Sequence, residues 1–211
     1  DGPIRTVALQ LVRELADPQV IAACRARWAS LPGDSQLAVM DAHLKLGAES
    51  LPTVRAATES PHLAVRVAAW RALAELNDPA TIPALAQAAA HGQPAERDAA
   101  RDTLARIHGP GVRESLLGEV DKSDAPVKAE LLRVLGERGE PGAVSVLLQN
   151  ASADAEPVRL VALESLRKLA AEEALDPLLG LVGKQNADAD REPLLKALYA
   201  VCQASPNKDQ A

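Results

Sequence analysis

The chain has 211 residues, a net charge of −6 and a pI of about 5.3, and only 1% of its residues are aromatic. Nucleic-acid binding draws much of its affinity from cations that neutralise phosphates, and a membrane-spanning helix needs roughly 18 consecutive apolar residues. The acidic sequence has neither feature, so we expect no nucleic-acid partner and no membrane insertion. With two Trp, one Tyr and no Phe, the predicted core consists of Ala, Leu, Val and Ile.

The N-terminal segment predicts two helix pairs. Arg5 and Leu15 belong to the first helix of the first pair, and Asp17-Pro18 opens its second helix. Proline suits a first helical turn because its backbone angle is already helical and it lacks only a donor that would be unused there. The next pair, at about 33–60, lacks the basic residue found in the others, and its register is fixed only to within one residue.

Residues 61–182 contain the clearest copies of a repeat with a step of 31 residues. A basic residue, taken as position 0, recurs at Arg66, Arg97, Lys128 and Arg159, and a leucine follows at position +7 as Leu73, Leu104, Leu135 and Leu166. Position +3 is apolar in each copy, and positions 0, +3 and +7 share one face of a helix. Prolines recur with the same step at Pro79, Pro110 and Pro141. Each copy therefore predicts a helix, a short turn and a second helix opened by proline.

The C-terminal part repeats the pattern once more after an insertion. Glu192-Pro193-Leu194-Leu195 echoes Glu156-Pro157-Val158-Arg159 with a step of 36 residues, which places a polar insertion at 183–190. We expect a final helix that caps the stack and a frayed tail from Pro206 onward. The predicted units cover about 3–32, 33–60, 61–92, 93–123, 124–154 and 155–183, with the cap at about 190–205, in one domain spanning 1–211.

The copy that runs from Val65-Arg66 through Leu73 to Asp78-Pro79 resembles the short HEAT-like repeats of phycocyanobilin lyase-type proteins. The resemblance is strong over about 61–182 and weaker over 3–60. It implies an all-α fold, a right-handed α-α superhelix (a HEAT-like solenoid) of about six helix pairs plus a C-terminal capping helix, in a bacterial protein. It does not specify a function, because the family includes scaffolds, lyases, a metal-dependent hydroxylase and DNA glycosylase relatives.

Residue types that carry chemistry form no recognisable catalytic pattern. None of the four histidines precedes a glutamate, and no three or four ligands have the spacing of a zinc site. The sequence contains no nucleophile elbow and no phosphate-binding loop. Cys24 and Cys202 stand far apart in sequence, and we interpret both as thiols packed among apolar side chains. We therefore predict no catalytic residue, no metal and no cofactor, and a protein that is not an enzyme.

The series of basic residues at position 0, which begins at Arg5, has two interpretations. It could form a cationic stripe for an acidic partner. The simpler interpretation is structural, because a residue that recurs with the period of the repeat belongs to the stacking. In that case each base reaches a helix-end carbonyl or a carboxylate of a nearby turn, for which Asp17, Asp78, Glu140 and Asp176 are candidates.

Positions +1, +5 and +9 of the first helices are the predicted partner-binding surface. The resemblance implies that these helices line a concave face, and these positions point away from the core stripe while changing in charge and size between copies. The predicted contact residues are Val67, Arg71, Glu75, Asp98, Asp102, Arg106, Arg133, Glu137, Leu160, Glu164 and Lys168.

The leading functional hypothesis is a non-enzymatic scaffold, a monomer that binds a protein or peptide on this concave face as one module of a larger protein. Two alternatives stay open: a HEAT-like lyase or DNA glycosylase-type enzyme with a ligand groove, and a purely structural spacer. The lyase or glycosylase alternative predicts a basic or aromatic cleft. The sequence does not indicate a compartment.

Overall fold

The computed structural model describes the backbone of residues 2–182 and 188–204 and the side chains of residues 6–182 and 191–204. In these ranges the regular structure is entirely helical. The helices are α1 (Gly2–Leu15), α2 (Pro18–Arg25), α3 (Gly33–Leu44), α4 (Leu51–Thr58), α5 (Leu63–Leu76), α6 (Ile82–His91), α7 (Pro94–Arg106), α8 (Val112–Val120), α9 (Ala125–Arg138), α10 (Ala143–Asn150), α11 (Glu156–Leu169), α12 (Leu175–Val182) and α13 (Asp188–Ala204). The prediction of six helix pairs and a final helix in an all-α fold is confirmed. The predicted frayed tail and residues 183–187 of the predicted insertion lie outside the described residues.

The helices form two compact units, Asp1–Gly109 and Pro110–Ala211. In the first unit, α1, α3, α5 and α7 pack side by side as one layer, and α2, α4 and α6 each pack against the first helix of the next pair. In the second unit, α9, α11 and α13 form the corresponding layer, and α8, α10 and α12 pack against them in the same way. Each unit therefore has two layers of helices. The assignment of the whole chain to one domain stays a prediction.

The repeated apolar stripe forms the core of each unit. The leucines at +7 and the apolar residues at +3 are all buried: Leu73, Leu104, Leu135, Leu166, Ala69, Ala100, Leu131 and Ala162. Full burial of a leucine side chain stabilises a fold by about 1.5–3 kcal/mol. One buried repeat position holds a charge, since Glu96 stands where the other copies have Val65, Val127 and Val158.

The preceding repeat supplies the partner for Glu96. Arg66 donates from Nε to Glu96 Oε1 at 2.7 Å and from Nη2 to Oε2 at 3.2 Å. Glu96 Oε2 also accepts from the backbone N–H of Gln93 at 3.2 Å, at the start of α7. The hydrogen-bonded Arg66 guanidinium lowers the pKa of Glu96 against the opposing effect of burial. The carboxylate is therefore held ionised within the core.

The basic residues at position 0 also bond to the end of the preceding segment. Arg66 Nη1 donates to the carbonyl of Ser60 at 2.7 Å, and Arg159 Nη1 donates to the carbonyl of Ala153 at 2.8 Å. Each acceptor lies six residues before its arginine. These two residues thus fit the structural interpretation of the series. The side chain of Arg5, the first member, lies outside the described residues.

The carboxylates suggested as partners for this series have other roles. Asp78 pairs with Arg55, and Glu140 accepts from Arg138 Nε at 2.7 Å. Asp17 caps α2 by accepting from the backbone N–H of Gln19 at 2.8 Å. The predicted carboxylate partners were therefore wrong for Asp78 and Glu140, whereas Asp17 stays a prediction because the side chain of Arg5 lies outside the described residues.

The first helices of several repeats end in the same backbone conformation. Position +11 has a left-handed φ of 45° at Ala16, 51° at Asn77, 61° at Gly139 and 46° at Ala170. At each position the backbone N–H bonds to the carbonyl four residues earlier, which satisfies an otherwise unpaired helix-end acceptor. The conformation suits glycine, and alanine adopts it at a cost of about 1–2 kcal/mol.

In most repeats the proline lies ahead of the second helix rather than inside it. Pro18 is the first residue of α2, as predicted. Pro79 begins a 3-10 turn that precedes α6. Pro110 and Pro141 are followed by glycines with φ of 79° and 87°, after which α8 and α10 begin. A proline–glycine turn therefore replaces the predicted proline-opened helix in these two repeats.

Two opposite single substitutions at equivalent helix ends test the left-handed cap. Ala170→Gly is expected to raise the free energy of unfolding by about 0.5–1 kcal/mol, the relief of strain being partly offset by the greater entropy of the unfolded glycine. Gly139→Ala is the matched reverse change and should lower it by a similar amount. Urea denaturation followed by circular dichroism measures both. Equal stabilities of the two variants would contradict the assignment.

Acidification tests the buried ion pair. Because the folded-state pKa of Glu96 is lowered, its stabilisation is present above the unfolded carboxyl pKa and is lost as the pH falls through the folded value. Glu96→Gln should lower the free energy of unfolding at neutral pH by about 2–4 kcal/mol, since the half-buried Arg66 loses its counter-charge. The variant should also show a flatter decline of stability as the pH falls from the unfolded carboxyl pKa to the lowered folded value, because the wild type loses the contribution of Glu96 over that interval.

The control for this experiment is Glu75→Gln. Glu75 is exposed on α5, so this variant is expected to follow the wild-type curve. A Glu96→Gln variant with the wild-type dependence of stability on pH would show that the buried pair does not contribute as described.

Candidate functional site

A groove of about 1270 Å³ opens in the second unit between α11, α12 and α13. It lies along α13, which packs against both α11 and α12. The lining residues are Glu164 and Arg167 of α11, Leu179 of α12, and Arg191, Glu192, Leu195, Lys196, Leu198, Tyr199, Ala200, Cys202 and Gln203 of α13.

The groove presents large apolar side chains to solvent. Leu179, Leu195 and Tyr199 are 53%, 48% and 67% exposed, while Leu198 is buried beneath them. Single exposed apolar residues are ordinary, but a contiguous patch rimmed by polar residues marks a ligand or partner site. Tyr199 adds the only tyrosine ring of the chain, with a flat face and a hydroxyl group.

Three cations and two carboxylates rim this apolar surface. Arg167 forms a two-bond pair with Glu164, with Nε–Oε2 and Nη2–Oε1 distances of 2.7 Å, and Lys196 Nζ lies 2.7 Å from Glu192 Oε1. Arg191 forms no ion pair with the described part of the chain. Exposed pairs of this kind stabilise a fold little, so the cations can turn to an anionic ligand at small cost.

Both carboxylates of the groove stay ionised. The hydrogen bond from Arg167 lowers the pKa of Glu164, and the hydrogen bond from Lys196 lowers the pKa of Glu192. A carboxyl group that donates a proton near neutral pH needs the opposite shift. The groove is therefore suited to binding and orienting a ligand that carries both an apolar body and negative charges.

The described residues include no cluster of three or more His, Cys, Asp or Glu side chains that could hold a metal ion. Cys24 and Cys202 are both free thiols and half-buried. His43 is buried and lies 2.6 Å from the hydroxyl of Thr53, so this histidine belongs to the core. No helix among the described residues has the length and apolar character required to cross a membrane.

The eleven predicted contact residues lie on the exposed sides of the first helices. Val67, Arg133 and Leu160 are half-buried, and the other eight are exposed. Six lie on α5 and α7 of the first unit and five on α9 and α11 of the second. In the second unit, Lys168 Nζ reaches Glu137 Oε1 at 3.7 Å. Of the eleven, only Glu164 lines the groove.

The groove residues of α12 and α13 were missed from the sequence. The last helix was interpreted as a cap, and a cap is expected to turn a polar side outward. The signal was present in the alignment itself, because Leu195 stands where the other copies have a basic residue. Tyr199 stands at the position of Leu9, Trp70, Arg101, Leu132 and Leu163.

The family of HEAT repeats matches residues 35–105 and 113–199. The chain is a HEAT-repeat protein. Over 98 residues it is 38% identical to the phycocyanobilin lyase subunit beta of Thermosynechococcus vestitus, a match that covers 46% of this chain and 46% of that relative. The chain therefore matches less than half the length of this curated relative.

Two solved structures are also similar to the HEAT-repeat chain. One is a chain of the complex of CpcE and CpcF of phycocyanin lyase from Nostoc sp. PCC7120, at 20% identity and a TM-score of 0.36, with 86% of this chain and 99% of that chain covered. The other is an engineered protein, at 20% identity and a TM-score of 0.43, with 92% of each chain covered.

These comparisons confirm the resemblance to HEAT-like repeats of the phycocyanobilin lyase type and correct the functional hypothesis. The predictions of a non-enzymatic scaffold and of a protein that is not an enzyme were wrong, because the curated relative is a lyase subunit. The error arose from requiring a constellation of catalytic side chains. A protein can promote a reaction by holding a reactive ligand in position, and this leaves no such pattern in the sequence.

Proposed function

We propose that this HEAT-repeat protein is a subunit of a lyase-type enzyme that binds an open-chain tetrapyrrole in the groove of the second unit. The observation that carries the proposal is the combination of Tyr199 and exposed leucines with three cations in one groove. The similarity to a phycocyanobilin lyase subunit supports the choice of this ligand class over other amphipathic anions.

The chemistry of a bilin matches the groove. A bilin has conjugated pyrrole rings, which are apolar and flat, and two propionate groups, which are anionic. Arg167, Arg191 and Lys196 offer charge-assisted hydrogen bonds to carboxylates, and Tyr199 offers a ring face for stacking. The volume of about 1270 Å³ lies above the 300–1,000 Å³ of an ordinary small-ligand pocket, so the groove has room for a tetrapyrrole.

The proposed reaction joins the bilin to a protein thiol. The sulfur forms a bond to a carbon of a bilin double bond, and the thiol proton passes to the bilin, so no oxidant or leaving group is needed. The contribution of this chain is to bind the bilin, fix its orientation and shield part of it from water. Holding two reactants in the productive geometry can account for a large share of the rate acceleration.

Titration with phycocyanobilin tests the groove. We expect saturable binding, followed as a change in bilin absorbance, and a loss of affinity of about tenfold for Arg191→Glu and for Tyr199→Ala, the usual effect of removing one charged or stacking contact. Arg113→Glu is the matched charge control on the surface of the same unit. Absence of saturable binding, or an equal loss in the control, would exclude the groove as the bilin site.

We further propose that the predicted contact residues at positions +1, +5 and +9 hold a protein, either another subunit or the acceptor of the bilin. Two features support this: these residues are exposed or half-buried on regular helices, and the relative is described as one subunit of its lyase. Because these residues carry charges of both signs, they favour the specific, oriented binding of a complementary protein surface over the binding of a uniformly charged polymer.

Charge reversal separates this surface from the groove. The variant Arg71→Glu, Asp102→Lys and Arg133→Glu should retain bilin binding by the isolated chain. In the source organism it should lower the amount of covalently bound bilin, measured as zinc-enhanced fluorescence of protein bands in a denaturing gel. A wild-type level of bound bilin would contradict a role of these positions, and a parallel loss of bilin binding would point to misfolding.

A further inference from the structure

Glu164 belongs to two surfaces of the second unit. It is the predicted contact residue that also lines the groove, and it occupies position +5 of α11. The same position is exposed in two repeats of the first unit, at Arg71 and Asp102, so the exposure of Glu164 is a property of this side of the repeat. A ligand in the groove can therefore reach the carboxylate of Glu164.

The carboxylate of Glu164 occupies one whole edge of the Arg167 guanidinium. Arg167 donates to it from Nε and from Nη2, each at 2.7 Å. This edge offers two parallel N–H groups, which match a single carboxylate. Glu164 therefore fills the position that a carboxylate of a ligand would take on the same edge.

Three cations from two helices act on this one carboxylate. The hydrogen bond from Arg167 is the main cause of the lowered pKa of Glu164, and the positive charges of Arg167, Lys168 and Lys196 lower it further. Arg167 and Lys168 belong to α11, and Lys196 belongs to α13. Cations that converge in this way on one exposed anion form an anion-binding arrangement whose occupant is a side chain of the protein itself.

The pair between Glu164 and Arg167 can open without a change of the fold. The two residues lie three positions apart on the same helix, and their side chains are 49% and 41% exposed. Rotation of the Glu164 side chain into solvent therefore separates them while α11 stays in place. Because exposed ion pairs contribute little to stability, a ligand can take over the guanidinium at small cost.

We propose that Glu164 is an internal competitor of the ligand, a carboxylate that an anionic group of the ligand must displace from Arg167. In the proposed function, on which this inference rests, that group is a propionate of the bilin. The exchange limits the affinity of the groove for its ligand. A chain that passes a bilin to an acceptor thiol must also release it, and the return of Glu164 to Arg167 favours that release.

The opposite role for Glu164 predicts the opposite result. If its carboxylate only held Arg167 in position for the ligand, removal of the charge would loosen the guanidinium and weaken binding. If the carboxylate competes with the ligand, removal of its charge strengthens binding. The sign of the change in affinity therefore separates competition from positioning.

Titration of the whole chain with phycocyanobilin and with its dimethyl ester tests the competition. Glu164→Gln should bind the free acid about two- to fivefold more tightly than the wild type, the range expected from the loss of one exposed ion pair. Its affinity for the ester should be unchanged, because the ester has the same rings but no carboxylate to exchange. An unchanged or weaker affinity for the free acid, or an equal gain for the ester, would overturn the proposal.

The matched control is Glu114→Gln, which removes an exposed carboxylate from a pair with Arg113 at 2.7 Å, outside the groove. It should bind both ligands as the wild type does. Circular dichroism shows that each variant is folded. A gain in affinity for the free acid as large in Glu114→Gln as in Glu164→Gln would overturn the proposal, because it would reflect net charge alone.

A second probe separates this inference from the proposed function. Anilinonaphthalene sulfonate is an apolar anion whose fluorescence rises on binding, and Glu164→Gln should bind it more tightly than the wild type and than Glu114→Gln. If the wild type shows no saturable binding of phycocyanobilin, the proposed function fails and this probe decides. Tighter binding of the sulfonate then supports competition by Glu164 for anions, and unchanged or weaker binding overturns it.

Discussion

The fold depends on the close approach of successive first helices. The hydrogen bonds from Thr103 and Ser165 to carbonyls of the preceding repeat require that neighbouring helices almost touch at these positions. At Gly136 of α9, an added Cβ atom would lie only 2.4 Å from Cβ of Ser165 in α11, so this contact admits no larger residue without movement. The low aromatic content of the chain follows, because such layers accommodate mainly small and medium aliphatic side chains.

This constraint explains how polar residues enter the core. A charge at a buried repeat position is stable only if an adjacent segment supplies its partner, as Arg66 does for Glu96. The irregular second pair follows the same rule with neutral groups. Gln36 accepts from Ser60 at 2.6 Å, and His43 contacts Thr53; burial lowers the pKa of His43 and favours its uncharged form. The missing basic residue of this repeat thus coincides with a core held by neutral hydrogen bonds.

The repeated features of the fold, its core positions and its helix pairs, could be predicted from the sequence. The residues at +3 and +7 define the core, and their step of 31 residues defines the helix pairs. Local backbone conformation was harder to predict, because Ala16 and Ala170 adopt a left-handed cap without a glycine or asparagine to indicate it. The groove was missed for a different reason: Tyr199 and Leu195 look like core residues in any one repeat, and only the packing of the described helices shows that both are exposed.

The candidate site of this chain therefore lies where its residues depart from the repeat. A residue that recurs with the repeat, such as Arg66 or Arg159, is already engaged in packing and hydrogen bonding within the stack. Tyr199 and Leu195 depart from the repeat and are exposed among the charged residues of the groove. A bilin would bury Tyr199 and its neighbouring leucines while the arginines and the lysine of the rim meet its propionates. The rim charges, rather than the apolar surface, are thus the feature that would distinguish an anionic ligand from an uncharged apolar one.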